Sequence, residues 1–428
     1  MVLHLAAGGT IASLGWWGYG QWGWLLLAFG PLITLQRTHW GVLAIACGYY
    51  GALGWESVPS LMRYFDMELA QALLVWLAHT LINAAAWWLP FLAVERLLPD
   101  RIWRAPLALV SGATLSLLWP WEVLSWNNPL FYAGAIFPGT GGWGVLVVLA
   151  MWFLAGVGWR MSERPSRKAS IMAACIFLVS AAALLWTGAV EASRPRYLSG
   201  PWWHSISTNF GPAREGAEIM RRSQWFKELL NEMESVTEFR DAAVVLPEGV
   251  LGPHRESLRY LVASRSNLFR ERNIVLFWHA DVTENNPSKI AEQLSISKIR
   301  DNIKAHSAVW SSMNGGTIVY RARVPIPVSF GDVDMVSHRN TSPVVSIDGI
   351  GRLAFGVCYE GFLLGHWLRA WLDTGMGAQK IDRVIGMANL WFLQWPALES
   401  AAAKQRLAFR WGASLLGADL VFAVNKGS

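Results

Sequence analysis

A chain of 428 residues is too long for one ordinary domain, and with 53% hydrophobic and 15% charged residues it falls well below the roughly 25% charge of a typical soluble domain. The net charge of +6 does not mark a nucleic-acid binder, because the basic residues of the second half are interleaved with acids and those of the first half separate apolar runs. Three cysteines, Cys47, Cys175 and Cys358, show neither metal-type spacing nor a disulfide framework, so no metal and no other cofactor is expected.

Residues 1–190 read as apolar runs broken by short polar islands. A membrane span needs about 20 mainly apolar residues, and seven candidates follow in order: 3–18, 20–36, 39–55, 70–94, 105–121, 143–159 and 169–190. The 27 Trp residues fit this reading, since the indole ring is apolar and its N–H is wet, which suits a membrane interface. The first run has no basic n-region or small-residue cleavage site, so it is not read as a removable signal peptide.

The loops set an orientation. Arg37, Arg96, Arg101, Arg104, Arg160, Arg164, Arg167 and Lys168 fall in one set of alternate loops, and only Arg63 falls in the other. The positive-inside rule makes the first set cytoplasmic. Seven crossings from an inner N-terminus then put everything after residue 190 outside, at the periplasmic face of a bacterial inner membrane. Residues 122–142, aromatic, rich in Gly and Pro and almost uncharged, are expected to lie in the interface, as a re-entrant or surface-lying linker or as a lipid-facing lip beside an active site.

The stretch 191–215 reads as an irregular tether. Residues 216–237 suit an amphipathic helix with Met220, Trp225, Leu229 and Met233 at helical spacing. Buried strands are expected at 241–248 and 273–280, and two strands joined by a turn at Asp348-Gly349 over 344–360. Further strands fall at 383–389 and 419–425. Between these two, 396–417 is a helix opened by Pro and closed by Gly. Alternating strands and helices over 216–428 imply an α/β domain with a largely buried sheet.

In such sheets chemistry gathers where strands end. Three ends carry suitable residues: Leu246-Pro247-Glu248-Gly249, Gly356-Val357-Cys358-Tyr359-Glu360, and Asn389-Leu390-Trp391-Phe392. A thiol attacks as thiolate and needs a base or a nearby cation. A buried Glu can be that base, and N–H groups or a cation must hold the oxyanion. Glu248 and Cys358 supply base and nucleophile. The plain alternative is that Cys358 is a small core residue and Glu248 a solvated turn residue.

The segments LPEG (246–249), GVCYEG (356–361) and Arg406…Arg410…Asn425-Lys426-Gly427-Ser428 resemble the nitrilase, or carbon–nitrogen hydrolase, superfamily. Preceded by a bundle of spans, they resemble apolipoprotein N-acyltransferases. The architecture is more similar still to the TraB-type conjugal-transfer proteins of Ti-like plasmids, which are themselves similar to that acyltransferase. The resemblance covers the whole chain as architecture and is most specific around Cys358. It implies a multi-pass α-helical membrane bundle (1–190), a tether (191–215) and an α/β nitrilase-type domain (216–428), an α-β-β-α sandwich. It implies Glu248 as general base, Cys358 as acyl-accepting nucleophile and Glu360 as a second carboxylate, with Tyr359, Tyr320, Asn389 and Trp391 lining the substrate.

The family's third member, a Lys, is absent. With no gap allowed, Ala322 stands there, between Arg321 and Arg323. Arg323 is the expected oxyanion-stabilising charge, although a guanidinium stays ionised and cannot relay a proton. Should neither Arg reach the site, Lys289, Lys298 and Lys304 are the remaining candidates. The chain stops at Ser428, without the final hairpin and returning span of the acyltransferases, so the domain is expected to hang from its N-terminal side alone.

Three functions follow. The first is a thiol acyltransferase that moves an acyl chain from phospholipid through Cys358 to an amine on a protein or small molecule. The second is a carbon–nitrogen hydrolase, in which water takes the acyl group. The third is a catalytically degenerate relative that works through contacts with the conjugation machinery.

Overall fold

The computed structural model describes residues 1–17, 20–64, 66–98, 101–118, 120–124, 126–162, 202–210, 216–236, 239–250, 261–283, 303–313, 317–323, 333–335, 337–390 and 397–426. They fall into two compact units. The first comprises Met1–Arg196, Phe362–Lys380 and Trp395–Ala418, and the second Tyr197–Gly361, Ile381–Gln394 and Asp419–Ser428.

The first unit is helical. Its N-terminal part holds α1 (Val2–Gly15), a 3-10 turn (Gly23–Ala28) running into α2 (Phe29–Leu35), α3 (His39–Gly54), α4 (Ser57–Tyr64), α5 (Leu69–Leu97), α6 (Arg101–Leu115) and α7 (Gly142–Ser162). Small residues let these helices approach closely. A methyl group on Gly8 would lie 2.0 Å from the carbonyl oxygen of Ile45, and one on Gly48 2.1 Å from that of Leu5.

The side-chain register gives the helix directions. Gly51 faces Thr80 and Gly54 faces His79, while His39 meets Glu95 at the other end of the pair, so α3 and α5 are antiparallel. Gly112 lies on Trp87 and Arg104 Nε donates to Leu98 O, so α5 and α6 are antiparallel. Gly30 lies on Trp152 and Gly156 on Thr34, so α7 runs alongside α2 toward the Arg37 end, opposite in direction to α6, which starts there. The bundle therefore has a basic end, near Arg37, Arg96 and Arg104, and an opposite end.

Of the seven expected spans, Leu69–Leu97 and Gly142–Trp159 are long and apolar enough to cross a membrane, and Val2–Gly15 and Gly23–Leu35 are shorter apolar helices. The seventh, at 169–190, lies outside the described residues.

Two later helices, α10 (Leu364–Asp373) and α11 (Ala397–Leu416), also belong to this unit, at the end opposite the basic one. The ring of Trp411 on α11 lies 4.8 Å from that of Trp16, and Gly134 touches the Trp411 carbonyl. Gly139 N–H donates to Ser414 O and Gly141 N–H to Leu415 O. Residues 127–137, read from sequence as interfacial, thus form a buried bed for α11: Asn128, Leu130, Phe131 and Ala133 are each at most 1% exposed. Glycine at 134 lets α11 settle so close to that backbone, and glycine at 141 makes room for Trp371 of α10.

The second unit holds two sheets. One has strand order β1 (Trp202–Ser205), β2 (Ala242–Val245), β3 (Val275–Thr283), β4 (Ile303–Ser311), β5 (Thr317–Arg321), with β6 (Val333–Met335) pairing β4. The other has order β10 (Asp419–Asn425), β9 (Arg383–Asn389), β8 (Gly351–Val357), β7 (Val344–Ile347). β1, β2 and β3 are parallel, as are β10, β9 and β8, so functional loops collect at common strand ends. Val245, Phe277, Val309 and Tyr320 of the first sheet share one apolar cluster with Leu353, Phe355, Ile385 and Ala423 of the second. The other face of the first sheet buries Phe226, Leu229, Leu230 and Met233 of α8 (Gly216–Ser235), and α9 (Ser266–Glu271) adds Phe269 there.

Three local expectations change. Met220 of α8 is exposed, and Phe226 and Leu230 are buried instead, because the helix turns its inward stripe by about one residue. Residues 202–205, expected within the tether, form edge strand β1, and Thr208 bridges to Asn425. The strands β4 to β6 carried no apolar run that sequence reading could seize: β4 reads IKAHSAVWS and is held by pairing on both sides.

Candidate active site

Strand β8 ends at Val357, and the next residue, Cys358, turns into the left-handed region at φ 44°. A non-glycine residue there costs about 1–3 kcal/mol and persists only where its surroundings impose it. The imposing group is Glu360, fully buried in the 3-10 turn that follows. Its Oε1 accepts from the Tyr320 hydroxyl at 2.8 Å and from the Arg323 N–H at 2.6 Å, and its Oε2 accepts from the Val357 N–H at 3.0 Å. A carboxylate taken out of water must be hydrogen-bonded, and these bonds tie the Cys358 turn to the end of β5. Cys358 itself is 7% exposed, at the rim of the inter-sheet cluster.

Glu248 approaches from the other sheet. After β2 the chain turns through Glu248 and Gly249, the latter at φ 61°. A Cβ on Gly249 would sit 3.1 Å from Asn389 Nδ2, so glycine is required both by conformation and by space. Asn389 ends β9, whose pairing with β8 runs to Met387 opposite Val357. Cys358 directly follows Val357 and Asn389 stands two residues beyond Met387, so both lie where two neighbouring strands end. Glu248, Asn389 and Cys358 share one corner of the sandwich.

That turn is gripped by two residues that sequence reading missed. Arg222 of α8, 2% exposed, donates from Nη1 to Gly249 O at 2.8 Å and to Val250 O at 3.2 Å. His279 Nδ1 accepts from the Gly249 N–H at 3.2 Å, and its Nε2 lies 2.6 Å from Ser307 Oγ. Because a backbone N–H only donates, Nδ1 is the bare nitrogen and Nε2–H points at Ser307. Burial pushes the His279 pKa down to about 3, so the ring stays neutral. No motif marks either residue; each lies inside an element whose pattern announces only burial.

Asn425 completes the corner. Its amide oxygen accepts from Thr208 Oγ1 and Phe210 N–H, and its nitrogen donates to Phe210 O and to Asn389 Oδ1. Asn389 is thereby oriented by Asn425.

The other predicted residues fall as follows. The Arg323 side chain is buried and its Nε donates to Arg339 O at 3.1 Å, while Arg321 is exposed. Ala322 is 2% exposed and joins the same apolar cluster as Cys358. Tyr320 is 1% exposed, stacked on Phe355, with its hydroxyl turned to Glu360. Burial and the Glu360 charge push its pKa well above the usual range, which keeps it a donor. Tyr359 is buried in the turn. Trp391, Lys289 and Lys298, and the side chain of Lys304, lie outside the described residues, and Arg406 and Arg410 are exposed on α11 of the first unit. Among the described residues no group of His, Cys, Asp and Glu could hold a metal ion.

The corner thus gathers residues suited to thiol chemistry: a cysteine on a strained turn, a carboxylate at the end of a strand of the first sheet, and a fully buried carboxylate bracing the cysteine's turn. Among solved structures, the chain is similar to a cysteine-to-alanine mutant of an amidase of the nitrilase superfamily from Nesterenkonia AN1, with 12% identity, a TM-score of 0.35, and coverage of 52% of this chain and 74% of that one. No protein-family model matches the chain.

Curated relatives match along nearly the full length. A protein of Sinorhizobium fredii described as "Probable conjugal transfer protein TraB" is 24% identical over 97% of this chain and 96% of its own. The "Conjugal transfer protein TraB" of Agrobacterium fabrum is 25% identical over 97% of this chain and 90% of its own.

Proposed function

We propose that this chain is a membrane-anchored protein of plasmid conjugal transfer whose outer domain is a nitrilase-type thiol acyltransferase, similar in plan to the apolipoprotein N-acyltransferases. The conjugal role is carried by the full-length likeness to the two TraB proteins. The chemical role is supported by the left-handed turn at Cys358, a costly conformation followed by a buried acid that bonds the turn.

A bacterial inner membrane, crossed several times with the outer domain on the periplasmic side, is the setting that best fits the first unit. Trp17, Trp22, Trp24, Trp40, Trp55, Trp103, Trp143 and Trp159 are exposed, and every one stands at or beside a helix end. Leu73, Leu81, Leu107, Leu146 and Leu154 are exposed along the helix bodies. Aromatic ends around an apolar waist are how a bundle meets a bilayer. The basic residues gather at one end of the first unit, which supports a cytoplasmic placement of that end.

In the reaction, Glu248 takes the thiol proton and the Cys358 thiolate attacks a phospholipid ester carbonyl. An S–C bond forms, the C–O bond breaks, and the lysolipid alkoxide leaves with the proton held by Glu248. An amine then attacks the thioester, forming an amide and restoring the thiol. Tyr359, Asn389 and Trp391 would line the acyl path, and Arg323 is the cation assigned to the oxyanion. Transfer to water instead would make the same site an amide hydrolase.

One observation favours a second reading, a non-catalytic relative that acts by contact with the conjugation apparatus. At the family's Lys position stands Ala322, buried in the same apolar cluster as Cys358. Intact mass of the full chain and of Cys358→Ala after incubation with phospholipid separates the two. A gain of one acyl chain, lost in the variant and on hydroxylamine treatment, is expected. No adduct on the wild type, together with an adduct on Ala322→Lys, would establish the contact reading, with an acyl site silenced at one position.

A further inference from the structure

Helix α5 is longer than its bundle needs. Its 29 residues span about 43 Å at 1.5 Å per residue, while the hydrocarbon layer of a bilayer is about 30 Å thick. Residues 69–94 contain no Asp, Glu, Lys or Arg and span about 39 Å, so about 9 Å of uncharged helix is left over.

The excess lies at the end away from the basic residues. There α3 finishes at Gly54, level with Trp76 and His79 of α5. On the other flank α6 stops at Leu115, and the segment after it reaches Ile82, whose carbonyl accepts from Trp121 Nε1 at 2.7 Å, and His79, whose ring meets Leu124 O and the Trp126 ring. Above that level, among the described elements, the short helix α4 is what packs on α5. Of residues 69–82, only Ala72, Trp76, His79 and Thr80 turn inward. Leu69, Leu73, Leu74, Val75, Leu77, Leu81 and Ile82 are exposed, Leu74 by 66%.

Such a surface is too large and too apolar to face water. A protein partner would meet a polar rim around an apolar centre, and here the exposed polar side chain between Leu69 and Ile82 is Gln71 alone. The stripe also runs without a break into the apolar waist of the bundle, through Leu81 and Ile82 toward Leu89. Both features fit an acyl chain better than a protein.

We propose that the outer turns of α5, residues 69–77, hold one acyl chain of a membrane lipid raised out of the bilayer plane, and so form the ramp by which a lipid reaches the periplasmic side of this protein. This rests on the reading of lipid as acyl donor and names where that donor leaves the membrane. Its energetic basis is direct: a lifted chain keeps its CH₂ groups against leucine, at about 0.8 kcal/mol per CH₂ kept from water.

The test uses the full chain in phosphatidylcholine nanodiscs with two photoactivatable phospholipids, one carrying a diazirine at the acyl terminus and one beside the glycerol. In a flat bilayer the terminal probe stays at the midplane and labels α5 near Leu89. The ramp predicts that the terminal probe also labels the peptide covering 69–77. It further predicts that Leu74→Gln with Leu77→Gln lowers that labelling at least fivefold and leaves labelling of Leu146 and Leu154 on α7 unchanged. Labelling of 69–77 by the glycerol-proximal probe alone would place these turns in an ordinary interface and overturn the proposal, and so would no labelling at all. The readout needs no chemistry at the thiol, so running it in Cys358→Ala separates failure of the ramp from failure of the acyltransferase reading.

Discussion

Each unit of this protein buries a glutamate, and the two are treated in different ways. In the first unit Glu56 is 7% exposed and meets Lys404 of α11, Nζ to Oε1 at 2.9 Å. In the second, Glu360 is fully buried and is shown bonded to a tyrosine hydroxyl and two backbone N–H groups. An ion pair can be made between segments that are 348 residues apart in sequence and tolerates small shifts of either helix. Bonds to fixed backbone donors do not. The first arrangement fastens a helix; the second sets the dihedral angles of the residue two positions before it, Cys358. Which partners a buried carboxylate receives tells what it is for.

The largest effect is expected from breaking the ion pair on one side. Lys404→Met leaves Glu56 buried beside an apolar side chain, and uncompensated buried charges typically cost about 3–5 kcal/mol. The expected result is a large fall in thermal stability in detergent and early proteolysis within α11. Replacing both, as Lys404→Met with Glu56→Met, is expected to recover most of the loss, because two packed methionines need no partner. If the double variant is as unstable as the single one, the pair is not the fastening.

A second effect concerns the Glu248 turn. His279 has a folded pKa of about 3, against an ordinary value of 6.5. The unfolded chain therefore binds a proton between those values that the folded chain refuses. Stability from the neutral ring is fully present above pH 6.5 and is lost as pH falls toward 3. At pH 5 the loss amounts to about 2 kcal/mol, at 1.36 kcal/mol per pH unit. Unfolding midpoints measured from pH 7 to 5 should show this slope, and His279→Gln, which can still accept from Gly249, should flatten it. An unchanged slope in the variant would mean that another group carries the acid sensitivity.

How much of this was legible in the sequence depends on how local the signal was. Strands β8, β9 and β10, the turn at Asp348-Gly349 and helix α11 follow from runs and punctuation a few residues long. The positions of Glu248, Cys358 and Glu360 just beyond buried strands were legible, because each follows an apolar run at a fixed offset. What holds those endpoints was not. Arg222 and His279 act through pairings of residues 27 and 30 positions apart, and nothing within one helix or strand announces a bond made across the fold. The first unit was legible as apolar, but the aromatic segment 127–137 looks the same to sequence reading whether lipid or a second helix covers it. The structure puts α11 there.

The smallest effect is the most specific. Tyr320→Phe removes one donor from Glu360 and leaves the ring stacked on Phe355 and the Arg323 and Val357 N–H bonds in place. The buried Oε1 keeps one partner, so the cost should be close to that of a single hydrogen bond to a charged group, about 1.5–3 kcal/mol. The distinguishing readout is not stability but the thiol. A loosened Glu360 relaxes the turn that holds Cys358 at positive φ, so the alkylation rate of Cys358 should change while that of Cys47, in the other unit, stays the same. A stability loss with an unaltered Cys358 rate would mean that Tyr320 only fills the core. A shifted rate would mean that the buried acid sets the geometry of the Cys358 turn, which an ion pair of the Glu56 type could not do.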